Sequence, residues 1–406
     1  MQHVADIICK SSANESLLVV ISAMGKTTNA LEKIVDAFTE GNKLAALNLF
    51  EEIKRQHLDR LKQLSLIHWK KAEDQLKDLF TEIEWLLHDM PVRHYDYYYD
   101  QIVSCGELFS TAIMHHLLID KKCSARWVDV RDILRTDNNF RNANIDWPYT
   151  SEQFHSKLLP LLKGNTVVLT QGYIGATDEN ESTTLGREGS DYSAAIFAHI
   201  GNASSVTIWK DVDAVMNADP RKFPDAVIIP TLSFSEVIEM AYYGAQVIHP
   251  KTIKPLQNKN IPLYVKSFLD PNLPGTIING VPTKNLPPVF VDKEKQVLIK
   301  FSTKDFSFIE EQATKQLQSL YSELRIQPNL SQHTAISIIC CFDDHAEKIT
   351  QLAGKAASYF DVAVERDLSL LTVRHYNNEV LHRFFDQKCI LLEQRTPDTV
   401  QAVIRK

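Results

Sequence analysis

The amino-acid sequence predicts an α/β protein in which a mainly parallel sheet, covered by helices on both faces, is followed by tandem βαββαβ units of the ferredoxin-like pattern. Three observations carry that prediction. The continuous apolar run LLVVI at 17–21 leads into a helix-period stretch at 30–38, the pattern of a strand buried on both faces. Short strands then alternate with helices as far as about residue 284. Beyond that the order becomes strand 296–301, helix 304–321, strands 325–329 and 335–342, helix 345–357 and strand 361–365.

A chain of 406 residues has room for two or three domains of roughly 100 to 200 residues each. With 44% hydrophobic and 23% charged residues its composition is globular rather than disordered. A formal net charge of -7 supplies no basic field for nucleic acid or an anionic membrane, so any polyanionic ligand needs a local site. The longest apolar runs, such as 335–342, are far shorter than the ~20 residues of a membrane helix. The start MQHVADIICKSS has no basic region followed by an apolar core, which leads us to expect a cytoplasmic protein. Cys9, Cys105, Cys123, Cys340, Cys341 and Cys389 show no CxxC pair or zinc spacing, which fits reduced thiols.

In chain order, a helix at 4–10 precedes the strand at 17–21 and the turn SAMGKTT. Gly25-Lys26-Thr27 resembles the end of a phosphate-binding P-loop, but Val20 stands where its first glycine belongs. Residues 42–90 carry leucines at helical spacing and read as a helical insertion, which extends to about 120. The Tyr/Asp cluster at 95–100 reads as packing at a helix start. Glu107, beside Gly106 at the next helix start, is either a solvated carboxylate favoured by the helix dipole or the partner of a substrate ammonium. Strands are expected at 126–130, 166–170, 206–209 and either 227–229 or 263–265, and helices at 152–162, 191–200 and 233–243. Ligands of such sheets collect at strand carboxyl ends, here Gln171-Gly172-Tyr173 and Lys210-Asp211. After residue 365 a shorter set follows: strand 368–375, helix 380–385, and strands 388–394 and 399–405. It lacks a last helix and strand, so another segment or another chain is expected to complete it.

The stretch TTLGREGSDYSAA at 183–195 places Gly186 and Gly189 around a charged pair, directly before a helix that Ser190 or Asp191 is placed to cap. A glycine-rich turn at a helix N-terminus aims backbone donors at one spot and suits a phosphate or carboxylate, and Arg187 adds a fork that grips a carboxylate at two points. An ordinary capped surface turn has the same composition.

Seven stretches in order, VISAMGKTTN (20–29), SCGEL (104–108), WVDVRDILRTD (127–137), VVLTQGYIG (167–175), TTLGREGSDYSAA (183–195), WKDVDAVMNADPR (209–221) and EMAYYGAQVIHPKT (239–252), together resemble the aspartate kinases of the amino-acid kinase family. The resemblance implies a three-layer amino-acid kinase domain over 1–284, a first ACT-like unit over 285–367, and a second over 368–406 that is incomplete or interleaved with the first. It implies the reaction of ATP with L-aspartate to give 4-phosphoaspartate, with Mg²⁺ held mainly by the nucleotide phosphates and no protein metal site. That reaction opens lysine, threonine and methionine biosynthesis. It further implies that Arg187 holds the α-carboxylate and Glu107 the ammonium of aspartate. Ser22, Ala23, Thr28 and Ser190 would lie on the substrate side, and Asp191 would organise the loop. Lys210, Asp211, Met216, Arg221 and Gln246 would belong to the nucleotide site. A lysine or threonine effector and a homodimer through the ACT-like units are expected, with Ser302–Ser307 and Asn329 at the effector positions.

The departures are specific. No Gly-Gly pair occurs, so the family's KFGG-type strand, with its phosphate-neutralising lysine, is expected to be missing ahead of Met1. Met216 stands where an aromatic residue is frequent, Ala214 where glycine is, and Gln246 where a lysine often binds phosphate. Two other functions stay open: an amino-acid sensor with a kinase-like scaffold, and a kinase for another amino acid such as glutamate.

Overall fold

In a computed structural model of the protein, every residue is described except Asn14, Gln246, Val247, Gln387 and Lys406. The chain forms two compact units: Met1–Ala214, Pro230–Val237 and Ile248–Val281 make the first, and Val215–Ile229, Ile238–Val247 and Pro282–Lys406 the second. The expected single boundary near 284 is therefore replaced by five crossings, because 215–229 and 238–247 belong with the later residues.

The first unit runs α1 (Gln2–Ser11), β1 (Leu17–Ile21), α2 (Thr27–Thr39), α3 (Lys43–Gln63), α4 (Trp69–His88), α5 (Tyr95–Val103), α6 (Cys105–Asp120), β2 (Ala125–Trp127), α7 (Trp147–Gln153), β3 (Val167–Gln171), β4 (Ile174–Ala176), β5 (Ser182–Thr184), α8 (Gly189–Gly201), β6 (Val206–Lys210), β7 (Thr231–Ser233), the start of α9 (Phe234–Tyr242), α10 (Pro250–Asn258), β8 (Leu263–Ser267) and β9 (Thr276–Asn279). One sheet has the order β1-β3-β2 and is parallel throughout, with Leu17 opposite Val167. A second has the order β6-β8-β9-β7, with β6 and β8 parallel and β9 reversed against β8. The expected strand at 227–229 makes only an isolated bridge between Ile228 and Met216, and the alternative, 263–267, is the strand.

Burial explains the order. All five residues of β3 are buried, as a central apolar strand requires. The equally apolar β1 is half-exposed along its whole length, because it is an edge of its sheet. β6 is likewise an edge, and α8 packs on both β1 and β6. Helices α3 and α4 form the expected insertion and join α6 through edge-to-face contacts of Phe50 with Phe80 (6.0 Å) and Phe80 with Phe109 (4.9 Å). Helix α6 itself is not insertion. It is apolar nearly all round, packs against β1, β2 and β3, and is core. The stretch Tyr95–Asp120 has the length and hydropathy of a membrane span, yet 83% of its apolar 18-residue window is buried inside the protein. The helix expected at 152–162 begins earlier, at Trp147, where Asp146 accepts the Tyr149 N–H at 3.1 Å, and it passes into a wider turn at Phe154.

The second unit holds β10 (Val289–Thr303), α11 (Glu311–Leu324), β11 (Leu330–His333), β12 (Ser337–Asp343), α12 (Ala346–Ala356), β13 (Phe360–Arg374), α13 (Asn378–Phe385), β14 (Cys389–Arg395) and β15 (Thr399–Arg405). They form one antiparallel sheet of order β11-β12-β10-β13-β15-β14. The first four strands in that order are a complete ferredoxin-like unit. The last four make a second, whose fourth strand is the first half of β10: Val289–Lys293 pairs with Leu370–Arg374, whereas Gln296–Thr303 pairs with Phe360–Leu368. The units are thus interleaved within one chain, and the expected boundary at 367/368 falls inside a continuous strand. Both strands change register there, around Lys295 and Asp367, whose φ values of 53° and 59° mark bulges. Helix α11 starts at Glu311 rather than 304, and the strand expected at 325–329 lies at Leu330–His333, because Arg325 caps α11 with a left-handed φ of 49°.

Candidate active site

Three chain turns of the first unit meet at one cavity of about 500 Å³. They are the turn after β1, the first turn of α6, and the glycine-rich turn before α8, with the end of β6 closing the set. Glycines let them meet. A Cβ on Gly106 would stand 3.2 Å from Ala23 Cβ and 3.3 Å from Thr27 Cγ2, and a Cβ on Gly172 would fall 2.6 Å from Ser190 Cβ. The helix start is therefore seated directly against the end of β3.

Gly186 (φ 78°) and Glu188 (φ 53°) are both left-handed, which turns the chain sharply into α8. Glu188, which lines the cavity, accepts the His249 N–H at 2.8 Å. Ser190 and Asp191 then occupy the first turn, where backbone N–H groups have no intrahelical acceptor. Asp191 pairs with Lys210 at the end of β6 at 3.2 Å. Burial raises the Asp191 pKa, and Lys210 opposes that shift. Arg187 is exposed at the cavity rim and makes no hydrogen bond or ion pair with the described residues.

Glu107 is the buried counterpart, 3% exposed. Its Oε1 accepts the Ala23 N–H at 3.3 Å, and its Oε2 is buried without a partner among the described residues. Desolvation pushes its pKa up to about 8. A carboxyl so placed ionises readily only when a cation enters beside it.

The structure thus brings Glu107, Thr28, Arg187, Ser190, Asp191 and Lys210 together around one space, with Ala23 bonded to Glu107. Ser22 belongs to the same turn and is tied to α6 through its carbonyl, which accepts from Ser110 Oγ at 2.7 Å. Other expectations change. Gln171 faces the core instead of the ligand side: its Oε1 accepts from Val130 N at 2.7 Å and its Nε2 donates to Thr111 at 2.8 Å. Asp211 is exposed beyond β6 and does not line the cavity. Met216 and Arg221 lie in the second unit, where Arg221 is 86% exposed and paired with Asp219 at 2.8 Å. Gln246 lies outside the described residues. The expected effector positions are at opposite ends of one sheet. Asn329 bonds Gln296 at 2.9 Å and Asp343 at 3.0 Å, whereas Ser302–Ser307 follows the far end of β10.

Sequence reasoning missed Arg141 and read Tyr99 only as packing, while Tyr173, at the expected strand end, lines the cavity together with them. Tyr99 donates to Glu32 at 2.7 Å and is stacked under the Arg141 guanidinium at 4.3 Å. Neighbouring Asp100 is fully buried and accepts from Thr184 N, Thr184 Oγ1 and Arg141 N at 2.8, 2.7 and 2.9 Å. Burial outweighs those bonds and lifts its pKa to about 6. The 95–100 cluster is therefore both packing and cavity wall, and its alternation of Tyr and Asp was the available signal.

Residues 1–267 match the amino acid kinase family. The chain is 36% identical over 290 residues to lysine-sensitive aspartokinase 3 of Escherichia coli, covering 71% of this chain and 62% of that relative. It is 33% identical to a chloroplastic bifunctional aspartokinase/homoserine dehydrogenase 1 of maize, covering 68% of this chain and 30% of that relative. The chain thus spans less than two thirds of the length of these relatives. Among solved structures, E. coli aspartokinase III with aspartate and ADP, and the same enzyme with lysine and aspartate, each superpose with a TM-score of 0.80 at 26% identity, covering 99% of this chain and 92% of theirs.

Proposed function

The chain belongs to the amino acid kinase family, and we propose that within it the protein is an aspartate kinase, transferring the γ-phosphoryl group of ATP to the side-chain carboxylate of L-aspartate. The observation that carries this reading is the pairing of opposite needs in one cavity: the buried, unpartnered Glu107 Oε2 and the unengaged guanidinium of Arg187. An α-amino acid satisfies both, with its ammonium on Glu107 and its α-carboxylate on Arg187. The side-chain carboxylate is then the group left to react. The aspartate and ADP bound by the E. coli structure support the same pair of substrates.

The chemistry asks little of the protein in proton transfer. A carboxylate is ionised at neutral pH, so its oxygen attacks the γ-phosphorus directly, the bond to the bridging oxygen breaks, and ADP leaves. What remains is positioning and neutralisation. Arg187 and Glu107 fix the acceptor, the N–H groups of the first α8 turn face incoming negative charge, and Lys210, oriented by Asp191, adds a cation at the same end. The Mg²⁺ of the reaction would be carried in on the nucleotide phosphates, where it offsets their charge.

The same reading includes lysine as an effector, supported by the lysine complex of the E. coli relative, and a homodimer, supported by the open β11 and β14 edges of the six-stranded sheet. A reducing, cytoplasmic setting is supported by six free thiols, three of them buried. Trapping acyl phosphate with hydroxylamine tests the activity. MgATP with aspartate should give the hydroxamate far faster than MgATP with glutamate. Equal rates for the two acids, or product in the absence of aspartate, would exclude the assignment.

A further inference from the structure

A larger cavity, of about 1000 Å³, lies wholly within the second unit, away from every residue assigned above to aspartate. Its walls come from 217–226, the first half of β10, the part of β13 just past the bulge, and α13. One side is aromatic. Phe223 and Phe290 stack at 5.3 Å between centroids, and Phe384 of α13 closes on Phe290 at 4.8 Å. Protein interiors are normally packed shut, so an aromatic wall around a space of this size is suited to an apolar guest.

The exposed side chains of Asp225, Glu294, Arg383, Lys388 and Arg405 also line the cavity, whereas on the sheet face Asp292 and Ser369 are its polar groups with buried atoms. Antiparallel pairing sets Asp292 opposite Leu371, and the two-residue period puts Phe290, Asp292, Ser369 and Leu371 on the same face of the sheet. Asp292 Oδ2 accepts from Lys222 at 3.0 Å, but its Oδ1 is buried without a partner among the described residues. Ser369, 1% exposed, has an Oγ that likewise finds no partner among them. Lys222 is shared with Glu294 at 3.3 Å, so it does not neutralise Asp292 alone. A desolvated acceptor beside a desolvated hydroxyl is costly, and native structures rarely leave both unmade. A carboxylate oxygen only accepts, so the missing partner is an N–H donor, and the charge favours a cation.

We propose that this cavity binds a small ammonium compound with an apolar, ring-sized body. The ammonium donates to Asp292 Oδ1 and Ser369 Oγ, and the body lies against Phe223, Phe290 and Phe384. The site does not depend on the kinase reading, because none of these residues lies in the first unit.

Calorimetry on the full chain with 2-phenylethylamine, and with phenylacetate as the ring of opposite charge, tests this. The expected result is one saturable amine site per chain and at least about tenfold weaker binding of phenylacetate. Asp292→Asn should weaken the amine about tenfold or more, and Ser369→Ala several-fold. Lys222→Met, which removes the competing cation, should tighten it. Val380→Trp, placing an indole in the cavity from α13, should abolish binding even if Asp292→Asn proves unstable. Amine binding unchanged in all four variants, equal affinity for phenylacetate, no amine binding at all, or a dimer that covers the cavity would each overturn the proposal.

Discussion

Ala23 donates its backbone N–H to Glu107 Oε1 at 3.3 Å, while Oε2 of the same carboxyl is buried with nothing to accept from. This half-satisfied carboxyl sits where the turn after β1 meets the start of α6, and the short reach is possible because Gly106 has no side chain. Burial lifts its folded pKa to about 8, above the ordinary glutamate value of 4.5. Below pH 4.5 the group is neutral folded or unfolded and contributes no penalty. As pH rises through the window up to about 8 the unfolded chain ionises first, so the folded state loses stability, and the loss is complete above about 8. Glu107→Gln should therefore raise the thermal midpoint of the ligand-free protein at pH 9 and leave it nearly unchanged at pH 5. An equal gain at both values would show that charge burial is not the cause.

Arg187 stands at the rim with no partner among the described residues, so its removal should be felt in binding and not in folding. Arg187→Ala should raise KM for aspartate about a hundredfold while stability stays within about 0.5 kcal/mol. Arg187→Lys should recover only part of the loss, because a point charge cannot reproduce the two-point grip. Steady-state kinetics beside thermal unfolding separates the two effects, and a loss of stability matching the loss of activity would contradict this role.

Gly172 lets the end of β3 approach the α8 N-terminus so closely that an added Cβ would meet Ser190 Cα at 2.7 Å. Gly172→Ala must push Ser190 and the first α8 turn outward, at a cost of about 1 to 3 kcal/mol. The expected outcome is a lower thermal midpoint together with weaker aspartate and nucleotide binding. An alanine variant with unchanged midpoint and affinities would show that the helix start need not sit where it does.

β1 and β6 are apolar sheet edges under a common covering helix, and β1 is half-exposed along its length. An added strand carrying Lys-Phe-Gly-Gly, fused ahead of α1, should pair there and place a lysine near the cavity. The fused chain should unfold at a higher temperature and form aspartyl phosphate faster by up to about a thousandfold. A fusion that changes neither would show that these edges do not take a strand.

Much of this was legible in the sequence. The strand at 17–21 and the helix turn at 186–191 are where an apolar run and a glycine-bracketed Arg-Glu pair require them. Two strands of three residues were not legible: Ser182–Thr184 and Thr231–Ser233 are too short and too polar to show alternation, and their partners hold them in place. Gln171 was misjudged because a strand end near a ligand site does not say which way a side chain turns, and here two buried hydrogen bonds turn it inward. Interleaving was legible only as one of two alternatives, and the segment that completes the second unit was not, since pairing of 289–293 with 370–374 spans a separation that no local pattern carries. Arg141 reaches the cavity only because its left-handed φ of 67° folds the loop back over Tyr99.

The central claim is that an ammonium group meets Glu107 inside the cavity, and proton release on aspartate binding tests it most directly. At pH 7 the free carboxyl, with its pKa near 8, is mostly protonated, and an ammonium beside it forces ionisation. Calorimetric titration of the protein with aspartate in two buffers of different ionisation enthalpy should show close to one proton released per aspartate bound. Glu107→Gln should abolish the buffer dependence and weaken binding. Aspartate binding with no buffer dependence, or the same proton release from the glutamine variant, would contradict the account.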